Sequence, residues 1–219
     1  MIIVYILIVG FLFCGLFSGY DAIDLINIIG IGGIGNNRIN MFEVVVCVLF
    51  YYLSFFNVMN CLDAESTLYN YISVRVLDKK KYFFRSLKKG MMIATNIMLQ
   101  KLLAEGILLL VTEEKVICIE YILHNMMVFT TLLLMIELRM LLFFQNINII
   151  KATTVIFIVF MILILANLRV GCIGVLISEY VNNIIESKMM LFYKMVIIVL
   201  LFGVIKNMSK GFEKVGHND

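Results

Sequence analysis

The sequence predicts an all-α integral membrane protein: six transmembrane helices, with a short amphipathic cytoplasmic helix between the second and third. Three observations predict it. Of the 219 residues, 63% are hydrophobic and only 15% charged, and the mean hydropathy of +1.03 lies far from that of a domain whose surface must be wetted. The apolar residues gather into six runs, near 2–20, 44–62, 91–112, 117–136, 152–170 and 189–206, each close to the roughly 20 residues a helix needs to cross a hydrocarbon core. The basic residues collect mostly between these runs, and lipid satisfies no backbone hydrogen bonds, so the runs must be helices.

The first run carries no charge between Met1 and Tyr20. A secretory signal would place basic residues before its apolar stretch and small residues at a cleavage site, so the run reads as a retained first span. The connection after it holds "GIGGIG", residues 30–35, which formally satisfies G-x-G-x-x-G. That pattern binds a pyrophosphate only when it joins a strand to a helix, and here it links two spans, so it reads as a loop or shallow interfacial segment. Walker A is absent from the chain.

The third run holds Lys101 and Glu105 near its middle, each costing about 3 kcal/mol at a span centre on insertion scales. Four residues apart, they meet on one helix face. The fourth run holds Cys118 and His124. Six positions on a helix turn through about 240° net, so the pair cannot act as nucleophile and base, and His124 reads as a polar group inside the bundle or near its outer edge. Segment 171–188 is external and polar enough around "SEYVNNIIESK" for either a surface helix or a plain connection. The whole chain, 1–219, is one transmembrane domain with a cytoplasmic segment at 63–90.

Orientation follows from the basic residues near span ends. With both termini inside, the cytoplasm receives Arg75, Lys79, Lys80, Lys81, Arg85, Lys88, Lys89, Arg139, Lys151, Lys206, Lys210 and Lys214, and the outside Arg38, Lys115, Lys188 and Lys194, twelve against four. Omitting the third run gives the weaker division of eleven against six. The chain is therefore placed in the cell membrane with N- and C-termini cytoplasmic. Its net charge of +3 gives no reason to expect a nucleic-acid partner. Cys14, Cys47, Cys61, Cys118 and Cys172 fall in apolar runs without a C-x-x-C pair and read as small buried side chains with no metal or redox role.

Seven of the 18 Lys and Arg residues lie between Tyr69 and Gly90. Asp63 or Ser66 offers a helix cap, and Leu68, Tyr69, Ile72 and Val76 then recur at helical spacing. After Leu77 and Asp78, "KKKYFFRSLKK" runs into the third span at Met91. Contact with anionic lipid, about 1 kcal/mol per cation, accounts for the charge but not for the order of acid, amphipathic turn, Arg and basic-aromatic re-entry.

In that order, "ESTLYNYISVRVLDKKKYFFRSLKKGMM" resembles the segment between the second and third spans of ABC type-2 permeases, above all small bacterial ones tied to bacteriocin, lantibiotic or peptide export. The matching residues are Glu65, Tyr69 or Tyr71, Ile72, Arg75, Lys79 and Lys80. The resemblance implies a coupling helix docked on a separate cytoplasmic ABC ATPase, with Leu68, Tyr69, Ile72 and Val76 as apolar anchor, Glu65 and Arg75 for register, and Lys79 and Lys80 in the same interface. It implies a permease rather than an enzyme, paired with a second copy or a homologous permease, exporting a peptide or other amphipathic substrate. ATP and Mg would sit on the partner, and this chain would bind no cofactor. Polar groups tolerated at membrane depth, Lys101, Glu105, Asn125, Asn167 and Arg169, are the candidates for the substrate path. The competing expectation is a membrane immunity or scaffold protein that binds a bacteriocin-like peptide without transporting it. An intramembrane enzyme is disfavoured, because no H-E-x-x-H or serine elbow is present.

Overall fold

The computed structural model of the protein describes residues 2–22, 25–26, 45–46, 48–60, 79–113, 118–144, 154–159, 162 and 184–211, and among these every regular element is helical. In chain order the principal helices are α1 (Ile2–Phe17), α2 (Val48–Asn60), α3 (Lys79–Thr112), α4 (Cys118–Phe144) and α5 (Ile184–Gly211). A further helical stretch covers 154–159 and touches α2 through an edge-on ring contact of Phe157 with Tyr52 at 5.0 Å. Three stretches are long and apolar enough to cross a bilayer: Phe84–Thr112, Tyr121–Leu142 and Lys188–Met208. They are compatible with a membrane protein.

α1 ends where backbone chemistry allows it to end. Its last carbonyls have no partner further along the helix, and the chain turns back to satisfy them: Gly19 N–H donates to Leu16 O at 3.0 Å and Tyr20 N–H to Gly15 O at 3.2 Å. This is a Schellman closure, which needs a left-handed residue after the helix, and Gly19 supplies it at φ 83°. Cys14 faces outward on this helix, which corrects its expected burial. A free thiol is small and only weakly polar, so it carries little penalty for lying outside the core.

α3 departs most from the sequence reading. The helix starts at Lys79 instead of near Met91 and runs unbroken to Thr112, about 51 Å at 1.5 Å per residue. The stretch expected to be a basic re-entry is thus the first three turns of the same helix. Lys, Arg and Leu are good helix formers and no Pro intervenes, which favours the helix against the unfavourable cations of its first turn. Ser86 and Gly90 are buried and Leu87 packs on the core, so tertiary contact fixes the turn. The amphipathic helix expected upstream, with Glu65, Leu68, Tyr69, Ile72, Arg75 and Val76, lies outside the described residues.

α4 is the central element and α5 the peripheral one. Of the membrane-length stretch of α4, 67% is buried, against 44% for α3 and 11% for α5. Contacts fix the directions. Gly90 lies against Ile136, Lys101 against Asn125 and Glu105 against Tyr121, so α3 and α4 run antiparallel. Lys194 meets Thr131 while Ile205 clusters with Met140, so α5 runs parallel to α4. The start of α3, the end of α4 and the end of α5 therefore share one end of the bundle, which collects Arg85, Lys88, Lys89, Arg139 and Lys206. At the opposite end α3 closes at Glu113, exposed and left-handed at φ 55°.

The approach of α3 to α4 depends on a missing side chain. A Cβ at Gly90 would lie 2.9 Å from Ile136 Cγ2, a branched methyl with little freedom to yield. Gly106, by contrast, has open space around it. Gly90→Leu is expected to destabilise the protein by about 1–3 kcal/mol through overpacking, whereas Gly106→Ala gains up to about 1 kcal/mol in helix propensity. Thermal unfolding of both variants in detergent, followed by circular dichroism, checks the contrast.

Candidate functional site: polar groups along the central helix

Between α3 and α4 lies a closed polar cluster. Lys101 and Glu105, both fully buried, form an ion pair on one face of α3. Their order, Lys before Glu, is the less favourable one along an isolated helix, so the pair needs α4. Lys101 Nζ also donates to Asn125 Oδ1 at 2.8 Å, Tyr121 OH donates to Glu105 Oε2 at 2.9 Å, and Asn125 Nδ2 donates to Tyr121 O at 3.0 Å. Both carboxylate oxygens and both ends of the amide are engaged. Satisfied buried networks of this kind fix the register of two helices.

On another side of α4, Lys194 of α5 enters fully buried. Its Nζ donates to Thr131 Oγ1 at 2.8 Å and, at the 3.5 Å limit, to Met127 O. Thr131 Oγ1 in turn donates to Met127 O at 2.9 Å, as does Thr130 Oγ1. Thr131 follows Asn125 by six residues, about 240° around the helix, so the two polar groups serve different neighbours of α4. No carboxylate among the described residues lies within ion-pairing distance of Lys194.

His124 and Glu137 of α4 each leave one buried polar atom without a hydrogen-bond partner. His124, 5% exposed, sits close to the backbone of Ile26, and its Nε2 has no hydrogen-bond partner. Glu137, also 5% exposed, leaves Oε2 unpartnered. Orphaned polar atoms of this sort are rare in native interiors and mark strain, function or a missing guest.

Of the sequence-predicted path residues, the structure brings together Lys101, Glu105 and Asn125; Asn167 and Arg169 lie outside the described residues. The three form a clasp closed between α3 and α4. Lys79 and Lys80 occupy the first turn of α3. His124 is inside the bundle, one of the two places expected for it. Lys194 was expected among the outer charges and is instead buried against α4, because its stem reaches inward to a hydroxyl and a carbonyl instead of snorkelling to water. The signal was present: Lys194 is the sole charge between Met189 and Ile205, yet its position a turn inside that run reads equally as a flank. Glu137 was hidden by its nearness to Arg139 at the end of a run. Comparison with protein-family models, curated proteins and solved structures finds no match.

The clasp yields a double-variant test. Lys101→Met strands a buried carboxylate and is expected to cost roughly 3–5 kcal/mol, while Lys101→Met with Glu105→Leu recovers most of that loss. Unfolding free energies of the two single variants and the double variant, set out as a cycle, measure the coupling directly.

Proposed function

We propose that this chain is the membrane-spanning permease subunit of an ABC exporter. It moves a peptide or other amphipathic substrate out of the cell using ATP hydrolysed, with Mg, on a separate cytoplasmic subunit. In this reading six spans cross the cell membrane with both termini inside, and a second permease copy or a homologous one completes the pathway. The ends of α4 and α5 support a return crossing between them. Because those helices are parallel, Phe144 and Ile184 lie at opposite ends of the bundle, and the chain must return between them, where the apolar run 152–170 falls.

The observation that carries the reading is the continuity of α3 from its basic start to the clasp. A basic first turn opposes the helix dipole, which favours acids there, and no acidic residue occupies that turn. The cluster is therefore not placed to stabilise the helix. Its position suits a side of the membrane that favours cations and a docking segment just upstream, around Tyr69 and Arg75. An unbroken helix of this length is a stiff rod, so a displacement applied near Lys79 reaches Lys101 and Glu105 without a hinge to absorb it. A partner ATPase gripping residues 65–80 would in this way move the α3–α4 pair.

Two measurements test the proposal. Lys88→Cys is expected to react with a membrane-impermeant maleimide only in inverted vesicles, and Glu113→Cys only in intact cells. Full-length protein purified from its native membrane is expected to bring a nucleotide-binding chain with it, and Tyr69→Ala or Arg75→Glu to lose that chain at unchanged expression. Purification without any nucleotide-binding partner overturns transport in favour of a non-transporting immunity or scaffold role.

A further inference from the structure

The two buried lysines differ in how they are compensated. Lys101 meets a carboxylate and an amide oxygen, whereas Lys194, equally buried, meets one neutral hydroxyl and one distant carbonyl. That carbonyl, Met127 O, also receives the Thr130 and Thr131 hydroxyls, so it has little left for an ammonium. A lysine offers three donors, and a cation answered only by neutral oxygens in a hydrocarbon setting is costly. The described carboxylates on α4 and α3 do not answer it. Glu105 is committed to Lys101 and Tyr121, and Glu137 lies six residues along α4 from Thr131, on another side of the helix. His124 adds no negative charge.

The helix that carries Lys194 also has the smallest buried share of the three membrane-length stretches. α5 meets the bundle along a narrow stripe of Lys194, Ile198 and Ile205, while Tyr193, Met195 and Val196 beside the lysine point outward. A small outward swing of α5 would open the Lys194 and Thr131 groups to the bilayer from the side.

We propose that Lys194 and Thr131 form a carboxylate-binding site between α4 and α5, entered laterally from the membrane by the carboxylate of an amphipathic peptide. One carboxylate oxygen accepts from Lys194 Nζ, and the other accepts from Thr131 Oγ1 once that hydroxyl turns away from Met127 O. A single cation with one hydroxyl, set inside an apolar helix, matches a compact monoanion carried on an apolar chain. The site requires no ATPase and serves equally a protein that only retains its peptide, so its test is separate from that of transport.

The experiment uses the full-length protein in phosphatidylcholine nanodiscs and an N-dansylated alanine–leucine octapeptide, either with a free C-terminal carboxylate or amidated. The acid is expected to bind about tenfold more tightly than the amide, the factor of one charge-assisted hydrogen bond. Lys194→Gln and Thr131→Val are each expected to reduce acid binding to the level of the amide, and Lys194→Arg to keep the preference. Replacing part of the lipid with phosphatidylglycerol is expected to leave the preference intact. Equal binding of acid and amide to the wild type overturns the site, as does a preference that survives Thr131→Val and Lys194→Gln. Loss of the preference on adding phosphatidylglycerol overturns the peptide as occupant and assigns the site to a lipid phosphate. If Lys194→Gln fails to fold, Thr131→Val decides alone.

Discussion

A charge that leaves water inside an apolar bundle must be met by another group, and that requirement sets the register of this protein. Lys101 and Glu105 answer each other on α3, but the geometry closes only when Asn125 and Tyr121 arrive from α4. The antiparallel alignment that brings them together also seats Gly90 against Ile136 at the other end of the same interface. A polar contact and a steric one thus select a single alignment of two long helices whose apolar surfaces alone would slide with little penalty. Dispersion and small-residue packing hold such helices together in lipid; the clasp decides where they stop.

Satisfaction divides the buried polar residues into two kinds. Within the clasp a cation meets a carboxylate and an amide oxygen, and groups so placed act as structure. Lys194 meets only neutral oxygens, and His124 and Glu137 each leave one buried atom unpartnered; all three lie on or against α4, whose membrane-length stretch has the largest buried share of the three. An interior helix with several unmet groups along it is poorly explained by stability alone, because well-packed apolar residues would be at least as stable there. The arrangement therefore separates parts that hold the bundle from parts available to a guest.

Much of the architecture was legible because long apolar runs leave a chain few choices other than helix. Apolar runs announced α1, α3, α4 and α5, and the four-residue spacing of Lys101 and Glu105 announced their pairing. Asn125 was identified as polar at depth, though nothing local named its partner. The start of α3 was missed because the basic stretch was read by its charge, whereas helix formation there follows from the burial of Ser86 and Gly90 against distant residues. Lys194 was missed for a related reason: its partner Thr131 lies 63 positions earlier, and a threonine in an apolar run carries no mark of such a role. Periodicity reports which face is apolar. It does not report which neighbour that face will meet.

The parallel course of α4 and α5 has a consequence for biosynthesis. A ribosome delivers α3 and α4 in succession, so the bonds of Lys101 to Asn125 and of Tyr121 to Glu105 can close as soon as both helices have formed. α5 emerges only after the residues between Phe144 and Ile184 have been made. Until then the Thr131 hydroxyl has no ammonium to receive, so the nascent protein passes through a stage in which its central helix has an open flank, and the C-terminal helix is the last part to seal it.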